Sequence, residues 1–131
     1  MSENKAIFSF EQHADVLVLT AHGSFMEFRD TEIRYAYNEA YRLLMQPGTR
    51  HLLVDFSKLQ YFGSTFVGIL IRLSQRVHKD GGLSVLCSLS DTMQQMLKSL
   101  MLLENTKADF SFHPFPDRQS GLDFLAEASA Q

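Results

Sequence analysis

Short apolar runs separated by polar turns predict the strands of this chain. Residues 7–10 and 16–21 flank a polar segment and predict two paired strands, and residues 51–56 and 83–87 predict two more. The run at 16–21 is apolar almost throughout, which is typical of a strand covered on both faces. The alternating stretch 108–115 predicts a last strand, and its prolines favour an edge position.

Four other stretches carry apolar residues three or four positions apart, which predicts helices. These apolar positions include Ile33, Tyr37, Ala40 and Leu44 in the first helix, Met93, Met96, Leu97 and Leu100 in the third, and Leu122, Leu125 and Ala126 in the fourth. The expected boundaries are Asp30 as N-cap of the first helix, Ser64 to His78 for the second, Ser90 as N-cap of the third and Asp117 at the start of the fourth.

The resulting order of elements is ββαβαβαβα. Strands that alternate with helices predict an α/β fold, with a mixed, mostly parallel sheet of about five strands and about four helices. The chain of 131 residues has the length of one domain, so residues 1–131 are expected to form a single unit.

Composition narrows the class of protein. A formal net charge of −3 lacks the basic footprint of nucleic-acid binding. No apolar run approaches the roughly 20 residues of a membrane helix, and the first residues show no signal-peptide pattern. Cys87 is the only cysteine and lies in an apolar run, which favours a buried thiol. These features predict a cytoplasmic protein without direct membrane insertion.

The second helix has two distinct faces. At about 100° per residue, its core face is expected to carry Phe66, Val67, Leu70, Ile71, Leu73 and Val77. The opposite, solvent-facing arc is expected to carry Thr65, Gly68, Ile69, Arg72, Gln75, Arg76 and Lys79. Ser64 is expected as N-cap, and Thr65 as the first helical residue with an exposed hydroxyl.

The outward arc contains a glycine that is locally unfavourable, because glycine inside a helix costs about 1 kcal/mol relative to alanine. One interpretation of Gly68 and its neighbours is a docking face for another protein. The other is an ordinary solvated face. A hydroxyl at the start of such a helix is also a candidate phosphorylation site, since the first-turn amides tolerate the added negative charge.

The residues LLVDFSKLQYFGSTFVGILIRL (52–73) resemble the STAS domain family, in particular the small stand-alone anti-sigma factor antagonists of bacteria. GGLSVLCSLSDTMQQMLKSLML (81–102) and AIFSFEQHADVLVLTAHGSF (6–25) resemble the elements on either side. The resemblance implies a STAS fold. It also implies binding to an anti-sigma factor that is a serine/threonine kinase, release on phosphorylation, and reset by a phosphatase.

By position in the resemblance, Thr65 matches the phosphorylated residue and Ser64 is the second choice. The implied partner-binding residues are Ser64, Thr65, Gly68, Ile69, Arg72, Arg76 and Asp55. The chain departs from the family pattern twice: Gly63 stands where an aspartate is usual, and Phe66 where a glycine is usual.

Two alternatives remain open from the sequence: a STAS scaffold or adaptor that is not phosphorylated, and an accessory subunit of a lipid-transport ABC system. The histidines lack metal-ligand spacing and no base is predictably placed for a nucleophile, so neither enzyme activity, a metal nor a cofactor is expected. Phe25, Met26 and Phe28 form either a core plug or part of the docking patch. Self-association is left undecided.

Overall fold

The computed structural model describes residues 8–24, 30–100 and 112–130, with the backbone alone at residues 23, 24, 30, 60, 61 and 64. In this part of the chain the strands are β1 (Phe8–His13), β2 (Val16–Ala21), β3 (Gly23–Ser24), β4 (His51–Asp55), β5 (Leu59–Tyr61), β6 (Ser84–Cys87) and β7 (Phe112–Phe115). The helices are α1 (Asp30–Leu44), α2 (Ser64–Lys79), α3 (Asp91–Ser99) and α4 (Arg118–Ser129).

The main sheet has five strands in the order β1-β2-β4-β6-β7. β1 and β2 form an antiparallel hairpin, in which Phe8 pairs with Ala21, and every later pair in this sheet is parallel. All six residues of β2 are buried, as the continuous apolar run predicted. The mixed, mostly parallel sheet is therefore confirmed, as is the edge position of the last strand.

The two faces of the main sheet carry different helices. The larger apolar cluster joins α1, α2 and α3 to one face, through residues such as Ile33, Leu70 and Leu97. The smaller cluster lies on the other face, where Leu125 of α4 packs with Val18, Leu53 and Val85. Because Leu53 and Val54 alternate between these clusters, β4 is buried from both sides.

A second, small sheet was not predicted. β3 pairs in parallel with β5, so the segment leading to α1 is tied to the segment leading to α2. With two and three residues, these strands are too short for an alternating pattern to reveal them. β1 is also longer than expected, since it continues through His13.

Most predicted helix boundaries agree with the structure. The Ser90 hydroxyl accepts a hydrogen bond from the Met93 amide at 3.2 Å, and Asp117 accepts one from the Ser120 amide at 2.8 Å, so both are N-caps. Two expectations were wrong: Asp30 is the first residue of α1 and not its N-cap, and Leu100 lies just beyond α3 and is 51% exposed.

Candidate partner-binding site along helix α2

Within the described part of the chain, helix α2 begins without a side-chain cap. Its N-cap is Gly63, whose backbone is extended. Glycine has no side chain that could accept a hydrogen bond from the first turn of the helix. Ser64 is therefore the first helical residue, and the expectation that Ser64 is the N-cap was wrong. The first turn contains no acidic side chain. Because the first amides of a helix have no partner within the helix, a turn without acidic side chains favours an added negative charge.

An aromatic cluster beneath the first turn holds α2 in place. Phe66 is fully buried, with its ring centroid 5.3 Å from that of Phe62 and 5.8 Å from that of Phe56. Phe8 of β1 lies 6.0 Å from it. Edge-to-face aromatic pairs at these separations add to the stability gained from burial. The start of α2 is thus fastened through its apolar side, while its polar end stays open.

The outward arc of α2 has one residue fewer than predicted. Thr65, Arg72, Gln75 and Lys79 are exposed, as expected. Ile69 is only 6% exposed and belongs to the larger apolar cluster, so the prediction that it faces solvent was wrong. The reason is that α2 packs against α1 as well as against the sheet, which widens its buried arc.

Gly68 is partly exposed, one turn after Thr65. Among the described residues, a Cβ atom added at this glycine would meet nothing within 4 Å. Neither a close neighbour nor a positive φ angle therefore requires glycine here. The described part of the fold would accept alanine, which is the better helix former, so the packing of the described residues gives no reason for glycine at position 68.

The charges on α2 all have one sign. Arg72, Arg76 and Lys79 lie in this helix and no Asp or Glu does, although the whole chain has 12 basic and 15 acidic residues. Arg76 is partly engaged, since its guanidinium lies 3.2 Å from the exposed carboxylate of Asp80. Thr65, Gly68, Arg72, Gln75, Arg76 and Lys79 thus form a basic stripe, a name that we keep for these residues.

Asp55 lies outside the basic stripe. It is 4% exposed at the end of β4, where one oxygen accepts the Ser57 amide at 2.9 Å and the other binds Arg118 at 2.9 and 3.0 Å. Burial acts to raise the pKa of the Asp55 carboxyl, but the hydrogen bonds from Ser57 and Arg118 outweigh it and the pKa is lowered. A carboxylate so buried and paired has no surface for direct contact with a partner.

Arg118, the first residue of α4, was missed by sequence reasoning. Besides Asp55, its guanidinium donates to the Thr20 hydroxyl at 3.1 Å and to the Glu11 carboxylate at 3.3 Å. These partners lie 63 to 107 positions away along the chain. No local motif reports such a contact, and only the fold brings these residues together.

A STAS domain model matches residues 8–121 of the chain. The chain belongs to the STAS domain family. In this STAS domain the segment that carries the resemblance, residues 52–73, forms β4, β5 and the first part of α2. The two departures from the family pattern flank the candidate acceptor: Gly63 is the N-cap, and Phe66 fills the centre of the aromatic cluster.

Comparison with solved structures finds the same fold in several proteins. An anti-sigma-factor antagonist (STAS) domain protein from Planctomyces limnophilus has 22% sequence identity and a TM-score of 0.71, over 91% of this chain and 97% of its own. A variant of RsbS from Moorella thermoacetica has 18% identity and a TM-score of 0.75, over 95% and 98% of the two chains. Phosphorylated SpoIIAA from Bacillus has 14% identity and a TM-score of 0.67, over 90% and 98%.

At these identities, the solved structures establish the fold of this STAS domain and not its partner. No curated protein matches the sequence. Phe25, Met26 and Phe28, which the sequence left as core plug or docking patch, lie outside the described residues.

The described part of this STAS domain offers little basis for metal binding, membrane insertion or nucleophilic chemistry. No three His, Cys, Asp or Glu side chains there are grouped so that they could hold a metal ion. None of the described helices is long and apolar enough to cross a membrane. Cys87 is buried, as predicted, and burial raises the pKa of its thiol to about 12. A thiol with so little thiolate at neutral pH is a poor nucleophile.

Proposed function

We propose that this STAS domain is a bacterial anti-sigma factor antagonist, which binds an anti-sigma factor/serine-threonine kinase through the basic stripe and is released when Thr65 is phosphorylated. The observation that carries the proposal is an exposed threonine in a first helical turn that no described side chain caps, one turn before a glycine that the described packing does not require. The role is one of binding and not of catalysis, and a phosphatase would restore the binding-competent form.

Thr65 is favoured over Ser64 as the acceptor because its side chain is exposed at the head of the basic stripe. A phosphate there adds about −1.5 to −2 charges at neutral pH. The dipole and free amides of the first turn favour that charge, so the helix does not need to unfold. The buried side chain of Phe66 also opposes unfolding of this turn, because it anchors the turn in the core.

The charge of α2 defines the chemistry of the partner. With three basic residues and no acidic one in the helix, the complementary surface on the kinase is acidic. Thr65 and Arg72 are about 10 Å apart along the helix axis, which is close to one Debye length at cellular ionic strength. A phosphate on Thr65 therefore weakens the attraction of the stripe and also confronts an acidic partner directly.

Gly68 gives the partner close access to the backbone of α2, and Arg72 and Arg76 supply the charges. Ser64, as the first helical residue, contributes its backbone to the same turn. Asp55 and Ile69 do not contact the partner in this proposal, because both are buried. Asp55 instead holds the loop before β5 through the Ser57 amide, and so positions the segment that leads to α2.

The test incubates the full chain with ATP and a kinase-like anti-sigma factor from the same organism, and maps the phosphate by mass spectrometry. We expect one phosphate on Thr65, none on Thr65→Ala, and unchanged phosphorylation of the matched control Ser64→Ala. Thr65→Glu should weaken binding to the same kinase at least tenfold by calorimetry. Binding with no phosphate on either hydroxyl would refute the switch and leave the binding role intact.

A second candidate is an adaptor that binds a signalling partner without being phosphorylated. Gly63 favours it, because the N-cap has no carboxylate for a kinase to recognise and, among the described residues, a Cβ atom there would meet nothing within 4 Å. The adaptor predicts that Thr65→Glu leaves the complex unchanged. The calorimetric comparison above therefore separates the two candidates.

A further inference from the structure

Helix α1 has an outer seam as well as a buried one. Its buried side belongs to the larger apolar cluster and includes Ile33, Ala40 and Leu44. On the opposite side of the helix, exposed residues recur at intervals of four, three, four and three positions, which is the spacing by which one helix packs along another. We call the following residues the outer seam: Thr31, Tyr35, Asn38, Arg42 and Met45.

The outer seam continues past the last residue of α1. The amide of Met45 donates to the carbonyl of Tyr41 at 3.1 Å, which is the hydrogen bond of one more helical residue. Met45 therefore keeps the spacing of the helix. At the rise of an α-helix, the seam from Thr31 to Met45 is about 21 Å long.

Two large apolar side chains lie near the ends of the outer seam. Tyr35 is 75% exposed and Met45 is 51% exposed. Among the described residues, Leu100 just beyond α3 is the other large apolar side chain that solvent reaches to this extent. A single exposed apolar residue is ordinary, but Tyr35 and Met45 share one seam. Tyrosine is also enriched among the residues that supply most of the binding energy of protein interfaces.

The middle of the outer seam is polar, and its charge is cancelled locally. The guanidinium of Arg42 donates to the carboxylate of Glu39 through Nε at 3.3 Å and through Nη2 at 2.6 Å. Because Glu39 engages this edge of the guanidinium, the N–H groups on Nη1 remain for a further acceptor. The carbonyl oxygen of a side-chain amide, such as that of the exposed Asn38, is an acceptor of this kind.

The outer seam is complementary to a second copy of itself that runs in the opposite direction. Tyr35 and Met45 lie at equal distances before and after position 40, and so do Asn38 and Arg42. When two α1 helices lie antiparallel about a two-fold axis at this position, Tyr35 of each copy meets Met45 of the other. Asn38 of each copy likewise meets Arg42 of the other. Each contact then occurs twice, as a two-fold axis requires, and the sulfur–aromatic contacts and the hydrogen bonds from arginine are favourable.

The charges of α1 suit a second copy of this chain. α1 carries both signs, in Asp30, Glu32, Arg34, Glu39 and Arg42, so two antiparallel α1 helices bring opposite charges together. Two copies of α2 would repel each other, since that helix has three basic residues and no acidic one. A contact between two single helices lies at the small end of interface sizes, below about 1,200 Å² of buried surface. The pairing through α1 is therefore weak.

We propose that the outer seam of α1 is a self-association surface, through which two copies of this STAS domain form a weak antiparallel dimer about a two-fold axis. Tyr35 and Met45 supply the apolar contacts at the ends, and Asn38 and Arg42 fix the register in the middle. The inference does not rest on the function proposed for α2, because it uses no residue of the basic stripe.

Sedimentation velocity of the full chain over a concentration series tests the dimer. We expect the sedimentation coefficient to rise from the monomer towards the dimer value between about 10 µM and 1 mM, as for a small interface. Tyr35→Ala should raise the dissociation constant about tenfold, as for an interface anchor, and Met45→Ala should raise it less. The matched control is Leu100→Ala, which removes an equally exposed side chain outside the seam and should change nothing. A monomer at every concentration, or equal effects of Met45→Ala and Leu100→Ala, would overturn the proposal.

Disulfide trapping tests the antiparallel register. A cysteine at position 35 lies about 15 Å along the helix from the same position of the second copy, beyond the roughly 7 Å between Cα atoms that a disulfide can span. It lies opposite position 45 instead. Under mild oxidation, a mixture of the Tyr35→Cys and Met45→Cys chains should therefore give a cross-linked heterodimer, and neither variant alone should cross-link. The native Cys87 is buried and does not compete. Cross-linking of either variant alone to the extent seen in the mixture would contradict the proposed dimer.

Discussion

Helices α2 and α4 lie on opposite faces of the same sheet and begin in opposite ways. At α4, Asp117 caps the first turn and Arg118 is bound to Asp55, so the polar groups of the start are used within the chain. At α2, the N-cap is a glycine, and the buried ring of Phe66 holds the first turn against the core. A helix start can thus be held either by its polar groups or by its apolar side, and only the second way leaves the polar groups available.

Phe66→Ala is expected to have the largest effect on stability, since it removes the buried ring that holds the start of α2 against the core. Truncation of a buried phenylalanine typically costs about 3–5 kcal/mol of unfolding free energy, and urea denaturation measures it. Thr65→Ala, at the exposed neighbouring position, is the control and should change stability by less than about 0.5 kcal/mol. A cost below 1 kcal/mol for Phe66→Ala, on the order expected for surface changes, would mean that α2 is held elsewhere.

Asp55→Asn removes the charge that binds Arg118 at the start of α4. It should lower the free energy of unfolding by about 2 kcal/mol, as expected for charge-assisted hydrogen bonds. Because the pKa of Asp55 is lowered in the folded protein, its contribution is present above the unfolded pKa of about 3.9 and is lost as pH falls through the folded value. Urea denaturation at several pH values should show a difference between wild type and variant at pH 6 that disappears on acidification. A constant difference would contradict the ion pair.

Gly68→Ala separates stability from binding on α2. The change should stabilise the fold by up to about 1 kcal/mol, because the added Cβ atom meets none of the described residues within 4 Å. It should also weaken binding to the kinase about tenfold, which corresponds to about 1.4 kcal/mol, if the partner approaches the backbone there. Gln75→Ala is the control on the same arc, and equal affinities of wild type and Gly68→Ala would remove the glycine from the interface.

An exchange of the two caps gives the smallest effect. Gly63→Asp gives α2 the type of cap that α4 has, and should stabilise the protein by a few tenths of a kcal/mol, about the difference between aspartate and glycine at an N-cap. Asp117→Gly should destabilise α4 by about the same amount. Thermal unfolding of both variants and of the double variant would show whether the two starts are independent, since effects at separate sites add.

Regular elements were predictable wherever burial imposed a pattern along the chain. The run at 16–21 coincides with β2, and the spacing of Phe66, Leu70, Leu73 and Val77 gave the buried side of α2. The N-caps Ser90 and Asp117 were also readable, because capping is a contact between residues three positions apart. These features depend on local sequence alone.

The errors arise where contacts join distant parts of the chain. Ile69 lies on the outward arc of an isolated helix, but in the fold it is buried in the larger apolar cluster, which also contains residues of α1. The resemblance implied a partner contact for Asp55, but the fold buries this carboxylate against Arg118, 63 positions later. The choice between Ser64 and Gly63 as N-cap depends on backbone angles, which a hydroxyl-rich sequence does not determine.

Pro114 in the edge strand β7 has a consequence for assembly. The Ser88 amide donates to the Phe115 carbonyl at 3.2 Å, so Phe115 turns its backbone groups toward β6 and Pro114 turns its own toward the free edge. A strand that approaches from that side meets the ring of Pro114 at the position where it would need a backbone N–H donor. Growth of the sheet by strand addition is therefore obstructed at β7, which protects this edge against the fibrillar aggregation that open edges invite.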